Sequence, residues 1–398
     1  MLELNPDTPY PATMKRNLTR RDFVKTVVAG AAGVCLPATG LRAGDNAAFS
    51  FVLFGDTHFD RLEHHDLEQL RQEKPDDVRQ ILEYSRLRAE ILPRLFTTVR
   101  EAIGAAQAAP ETRVAFAAHV GDLVEGLCGS ESRAVQQDTE AIQFIRGASL
   151  GVPFLLTKGN HDITGPGAAS AFKSVVHPFL DEQRGLLGAS GKLTAARYSF
   201  QQGDALFCFF DAYDKESLGW LEAALSQRTA RHCFVVLHPP VVPYGARATW
   251  HLFSGDRDKA QRDRMLELLG KHNAFVLSGH IHKYNLLVRA TPRGGKFLQL
   301  GVSSVIHAPA VTAEHLLLGV KSYNADQVTV EPNFSPATEQ QRRAVYDMEA
   351  PFVKQFEYAD LPGYAVITAN GPAVTARIYS GVTRQLWRTL ELSRLMNA

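Results

Sequence analysis

A chain of 398 residues, 45% hydrophobic and 21% charged, has the composition of a globular protein long enough to bury a large core without disulfide staples. That excludes a mostly disordered, collagen-like or coiled-coil chain. Lys and Arg number 43 against 42 Asp and Glu, a formal charge of +1, so global charge gives no reason to expect a stable nucleic-acid partner or strong membrane attraction. Cys35, Cys128, Cys208 and Cys233 form no CxxC pair, which argues against a cysteine-rich zinc site or a redox motif.

The chain opens on an address. Thr19 to Lys25 reads Thr-Arg-Arg-Asp-Phe-Val-Lys, and an Ala-, Gly- and Val-rich stretch runs from Thr26 to about Gly40. Arg42-Ala43 closes a cleavable leader, and the paired arginines resemble a twin-arginine export signal. The predicted signal peptide is residues 1–43, with Met14 as a second candidate start. The implied partner is the twin-arginine export machinery, and the implied location is periplasmic or extracellular. The apolar run is too short and Gly-rich to span a bilayer, so no transmembrane span is expected in the mature form.

Beyond it, short apolar runs alternate with segments of helical period. Phe49–Phe54 reads as a strand, and residues 75–106 as helix, broken or kinked at Pro93. Val114–Ala118 and Pro153–Leu156 are the next strands, with a helix near Thr139–Ile145 between them. Ala205–Phe210 and Cys233–Leu237 flank a helix near Glu216–Ser226. Arg262–Lys271 reads as helix and Phe275–Leu277 as strand. Asn285–Ala290 and Lys296–Leu300 flank Pro292-Arg-Gly-Gly295, a hairpin pattern. The alternation predicts an α/β fold with parallel strands early and antiparallel ones later. Cys208 and Cys233 fall on candidate neighbouring strands, as buried thiols or, in an oxidising compartment, a disulfide.

The residues just past each strand carry the chemistry. The strand ends read Gly55-Asp56-Thr57-His58, Gly121-Asp122, Gly159-Asn160-His161-Asp162, His238-Pro-Pro and Gly279-His280-Ile281-His282. In α/β sheets functional groups gather beyond the carboxyl ends of the strands. A Gly-Asp pair alone is an ordinary turn, and a lone histidine is commonly structural; five such blocks in order form a pattern.

This ordered set resembles the signature of the calcineurin-like metallophosphoesterases over residues 50–285. The resemblance implies a four-layer αββα sandwich, two mixed β-sheets flanked by helices, with a C-terminal extension. It implies a dinuclear centre: Asp56, His58, Asp122 and His282 on one metal, Asp122, Asn160, His238 and His280 on the other, with Asp122 bridging. Carboxylate and amide oxygens with imidazoles suit two divalent or trivalent ions, Mn, Fe or Zn. The implied reaction is in-line attack of metal-bound hydroxide on the phosphorus of a phosphodiester or phosphomonoester. His161 matches the family's non-ligand histidine, as general acid or charge-stabilising donor. Asp162 is expected to orient it.

Purple acid phosphatases carry a Tyr where Glu125 follows Gly121-Asp122, and their first block lacks the histidine found here at His58. The pattern is nearer the branch containing bacterial cyclic-nucleotide phosphodiesterases. Specificity is expected in two loops: Arg61, His64 and His65 after the first strand, and Tyr244, Arg247, Trp250 and His251 after His238. Of these, Tyr244, Arg247 and His64 are the candidate contacts to a small phosphate-ester substrate. His119, His177, His307 and His315 are expected to be structural or solvent-facing. The catalytic domain is set at residues 44–310, and residues 311–398 are expected as a C-terminal extension packed on the core or a small lobe. Other readings are a nucleotidase, a lipid-headgroup phosphodiesterase and, outside enzymes, a catalytically silent scaffold of the same fold.

Overall fold

The computed structural model describes residues 48–305 and 312–398. The segment predicted as a leader, with its Arg20-Arg21 pair and Cys35, and His307 lie outside them. Among the described residues, no helix is long and apolar enough to cross a membrane.

Two mixed sheets pack face to face. The first has six strands: β1 (Phe49–Phe54), β2 (Val114–His119), β3 (Phe154–Leu156), and β12 (Gly363–Asn370), β13 (Ala373–Ser380) and β14 (Leu386–Glu391), in the order β14-β13-β12-β1-β2-β3. The second has eight: β4 (Tyr198–Gln202), β5 (Ala205–Phe209), β6 (His232–Val236), β7 (Phe275–Ser278), β8 (Tyr284–Ala290), β9 (Lys296–Gly301), β10 (Leu316–Leu318) and β11 (Val353–Ala359), in the order β10-β11-β8-β9-β7-β6-β5-β4. With helices outside both, this is the αββα sandwich expected from the sequence.

The sheets are parallel where the strand–helix alternation predicts it. β1, β2 and β3 pair in parallel, as do β5, β6 and β7. Every residue of β1 is buried, as a strand covered on both faces requires, and its sequence Phe-Ser-Phe-Val-Leu-Phe is accordingly almost continuously apolar. Phenylalanines fasten one sheet to the other. Phe51 of β1 meets Phe207 and Phe234 of the second sheet edge-on, at centroid separations of 5.1 and 5.3 Å. Phe116 stacks on Phe51 at 5.3 Å and meets Phe207 at 4.9 Å.

Residues beyond 311 are woven into both sheets. β12 pairs antiparallel with β1, Phe51 opposite Ile367, and β11 pairs antiparallel with β8. β8 and β9 form the predicted hairpin. The polar stretch after Pro332 contains a helix, Glu339–Glu349, entered through a capping box of Thr338 and Gln341. Pro93 sits in the first turn of helix α2 (Leu92–Ala106), which follows α1 (Pro75–Glu90) with the break at Ile91. Cys208 and Cys233 are buried free thiols.

Candidate metal centre

The carboxyl ends of β1, β2, β3, β6 and β7 converge on one edge of the sandwich, and the five predicted blocks meet there. The ligand atoms of Asp56, His58, Asp122 and His282 all lie within 4.8 Å of one another, and so do those of Asp122, His238 and His280. Asp122 is common to both groups. Its Oδ2 is 3.0 Å from His238 Nε2 and 3.7 Å from His58 Nε2. Asn160 joins the second group through its side-chain oxygen, 3.1 Å from His238 Nε2.

The local backbone is strained to bring these atoms together. Asp56, His58, Asp122, His280 and His282 all adopt positive φ, between 42° and 72°, a region that costs a non-glycine residue about 1–3 kcal/mol. Glycine precedes the ligands because nothing larger fits. A Cβ on Gly159 would fall on the Asp122 carboxylate, and one on Gly279 on that of Asp56.

The side chains fit a pair of cations. Asp56 Oδ2 is buried with no hydrogen-bond donor among the described residues, an orphaned acceptor of the kind a cation satisfies. Imidazole nitrogens face each other: His58 Nε2 and His282 Nε2 at 3.2 Å, His280 Nδ1 and His238 Nε2 at 3.0 Å. The opposite nitrogens are tied down. His58 Nδ1 is 2.7 Å from Glu125 Oε2, and His238 Nδ1 donates to the Val120 carbonyl at 2.8 Å. A donor bond on one nitrogen aims the lone pair of the other at the centre. Tyr84 of α1 stacks on His58 at 4.2 Å, nearly parallel. The donor set is all oxygen and imidazole, without thiolate, and suits Mn, Fe or Zn.

The electrostatics agree. Burial and the neighbouring His161 push His58 well below the usual histidine range; burial and His238 do the same to His280, and burial lowers His282. Burial also works against a charge on His238, but Asp122 and Asp56 overcome it and raise its pKa to about 9. Burial, then the charges of Asp60 and Asp122, pushes Glu125 well up. Three of the imidazoles, of His58, His280 and His282, are held neutral, and only His238 is drawn toward its charged form by the carboxylates beside it.

His161 stands beside this centre, part-exposed, its ring 4.7 Å from that of His58. Its Nδ1 donates to the Glu125 carbonyl at 2.9 Å, and Glu125 Oε2 is 3.4 Å away. Asp162 does not orient it, contrary to the sequence expectation. Its two oxygens accept four backbone N–H groups, from Leu123 (2.8 Å), Val124 (3.2 Å), Gly159 (2.7 Å) and Asp122 (3.1 Å). Adjacency in the motif suggested the imidazole as partner. The turn aims the carboxylate instead at unpaired amides of both ligand loops, a demand the motif does not display.

The predicted specificity residues fall in different surroundings. Tyr244 is fully buried, its hydroxyl 3.4 Å from the Lys283 carbonyl. His64 is buried against Glu140 at 3.2 Å, and His65 bonds Asp60 at 2.7 Å. Arg61 pairs with Glu140 at 2.9 Å. His251 is buried, bonding the Ala248 carbonyl at 2.8 Å. Arg247 and Trp250 border the centre: the guanidinium lies 4.8 Å over the Trp250 ring, which lies 5.5 Å from that of His280. His119 is buried against Thr57 at 3.0 Å, and His315 faces solvent against Asp360 at 2.9 Å. Glu125 and Tyr84 escaped sequence reasoning as functional residues. Glu125 was visible only as the third residue after Asp122, and Tyr84 had no signal, because it lies within a helix well removed in sequence from His58.

Comparison with known proteins adds a lineage. The profile of a family described as calcineurin-like phosphoesterase matches residues 49–284. Similar solved structures include the purple acid phosphatase PPD1 of yellow lupin (Lupinus luteus), 13% identical with a TM-score of 0.50 over 89% of this chain and 56% of the lupin chain. This chain therefore spans little more than half the length of that protein. PhoD is 12% identical, TM-score 0.49, over 89% of this chain and 70% of its own. A dimetal phosphatase from Danio rerio is 14% identical, TM-score 0.48, over 87% of this chain and 99% of its own. No curated protein matches the sequence.

Proposed function

The chain belongs to the calcineurin-like phosphoesterase family, and on that premise we propose that it is an exported, dinuclear metal-dependent phosphoesterase that hydrolyses a small phosphate ester. One observation carries the reading: two groups of metal-capable side chains share Asp122, with the imidazole of His161 beside them. Two ions bound there would polarise a phosphoryl group and lower the pKa of a water molecule.

The chain's own residues do the rest. Asp56, His58, Asp122 and His282 form one binding group, and Asp122, Asn160, His238 and His280 the other. Glu125 and the Val120 carbonyl fix the tautomers of His58 and His238. His161 is the proton donor. Its Nδ1–H is committed to the Glu125 carbonyl, so Nε2 is the nitrogen that gains and loses a proton. Water oxygen bonds to phosphorus in line as the ester P–O bond breaks. The leaving oxygen takes the Nε2 proton, water releases one proton to solvent, and solvent reprotonates His161. The products are an alcohol and a phosphate carrying one ester link fewer. Asp162 holds the two ligand loops at the spacing this requires.

The test is hydrolysis by metal-stripped full-length protein, reloaded separately with Mn, Fe or Zn. Bis-p-nitrophenyl phosphate and p-nitrophenyl phosphate are the substrates. Metal-dependent turnover of either supports the reading. Protein that binds no metal and turns over neither is a silent scaffold, and the reading fails.

Export rests on the Arg20-Arg21 pattern. Replacing both with Lys should hold the protein in the cytoplasm of a twin-arginine-competent bacterium. Unchanged secretion would overturn it.

A further inference from the structure

Around the centre, cations are already spoken for. Lys158 pairs with Asp211 at 2.7 Å, Lys283 with Glu331 at 2.8 Å and Arg61 with Glu140 at 2.9 Å. Arg247 differs. Among the described residues its guanidinium makes no ion pair and donates no hydrogen bond; its one contact of note is the Trp250 ring, 4.8 Å away. Trp250 in turn leans on His280, a member of the second binding group, at 5.5 Å. The guanidinium therefore stands one aromatic ring away from the centre, on the loop that leaves β6 through His238.

Tyr84 stacks on His58, in the first binding group, at 4.2 Å. Arg247, Trp250 and Tyr84 are all only half-buried, whereas Asp56, His58, Asp122 and His238 beneath them are buried. Arg247 thus belongs to the open side, where an ester must arrive. Stacking on tryptophan holds a guanidinium by its face and leaves the N–H groups of its edge to bind oxygen.

We propose that Arg247, held by Trp250, is a specificity-determining residue that takes a terminal phosphoryl oxygen and selects phosphomonoesters over phosphodiesters. The inference rests on the phosphoesterase reading and narrows it to a substrate class. A diester carries two terminal oxygens and a single charge. A monoester carries three terminal oxygens and, near neutral pH, up to two charges. A fixed planar cation beside the metal centre rewards the ester with the extra oxygen and the extra charge.

The experiment compares wild type with Arg247→Gln, Arg247→Lys and Trp250→Leu, as full-length metal-loaded protein. kcat and KM are measured on p-nitrophenyl phosphate and its bis ester. Binding of inorganic phosphate and of dimethyl phosphate is measured by calorimetry. For Arg247→Gln the monoester-to-diester ratio of kcat/KM should fall about 10- to 100-fold, the range of one charge-assisted hydrogen bond. The loss should lie mostly in KM, and phosphate affinity should fall by a similar factor, more than that of dimethyl phosphate. Arg247→Lys keeps the charge and loses the planar fork, so it should lie between. Trp250→Leu should shift the ratio in the same direction by less. An unchanged ratio, or equal losses on both esters and both anions, overturns the proposal. Failure of the enzyme reading looks different: wild type turns over neither ester. The calorimetry still decides the Arg247 contact in that case, and a wild type that does not bind phosphate refutes it.

Discussion

The Glu125 carboxylate lies 2.7 Å from Nδ1 of His58, while the carbonyl of the same residue accepts a hydrogen bond from His161 at 2.9 Å. One residue therefore orients both a candidate metal ligand and the candidate proton donor. Gln80 of α1 holds the other carboxylate oxygen at 2.7 Å. Glu125→Ala should weaken metal binding about 10- to 100-fold, the usual cost of losing a residue that orients a ligand. Metal titration of the stripped protein, followed by calorimetry, reads this directly. Wild-type affinity would remove Glu125 from the design.

Because Asp122 belongs to both binding groups and His282 to only one, the two should fail differently. Asp122→Ala should leave the protein unable to hold either ion firmly. His282→Ala should still retain one. Metal-to-protein ratios after reloading and desalting distinguish two, one and none.

His161→Ala should retain its metals and lose about 10²- to 10⁴-fold in kcat, the range for general acid–base catalysis. The loss should grow with the basicity of the leaving group, since nitrophenolate departs without a proton and an alkoxide does not. A series of aryl and alkyl phosphates tests the slope. The same loss across the series would exclude proton donation.

Asp162 bonds four backbone amides, so Asp162→Ala should leave buried donors unpaired. We expect a loss of about 3 kcal/mol or more in stability, since each stranded donor costs about 1–3 kcal/mol. Urea unfolding of metal-free protein measures it. A loss below about 1 kcal/mol would mean the loops find other partners.

Away from the centre, Glu349 bridges Arg262 at 2.6 Å and Arg289 at 2.7 Å. Burial would raise its carboxyl, but the two guanidinium groups win and hold it below the usual range. A carboxyl depressed in the folded state stabilises the fold above its unfolded pKa and loses that contribution as pH falls through the folded value. Glu349→Gln should therefore cost about 3–5 kcal/mol at neutral pH by stranding two buried cations. The gap from wild type should close as pH drops below about 4, where the free carboxyl itself protonates. Denaturant unfolding at neutral and acidic pH gives the comparison, and a pH-independent gap would contradict the sign.

How much could be read in advance depends on the range of the interaction. β1 and the blocks after β1, β2, β3, β6 and β7 were legible because strand and following turn are contiguous. The apolar run marks the strand, and glycine with a polar residue marks its end. The ligands came with those blocks, since each belongs to the turn that presents it. The hairpin of β8 and β9 and the helix break before Pro93 were legible for the same reason.

Other features were decided only when distant segments met. Nothing near Phe51 says that Ile367 will lie opposite it, because strand pairing joins segments whose sequences need only be apolar in the right places. Tyr84 reaches His58 from within α1, and Trp250 reaches His280 from the loop after β6. Asp162 shows the limit most sharply: its motif position is local, but its partners are amides whose need for an acceptor arises only after the loops have closed. The order of residues along the chain settles which groups can do the chemistry. Packing between distant segments settles which hydrogen bonds aim them, because an unpaired buried donor or acceptor costs more than any local preference can return.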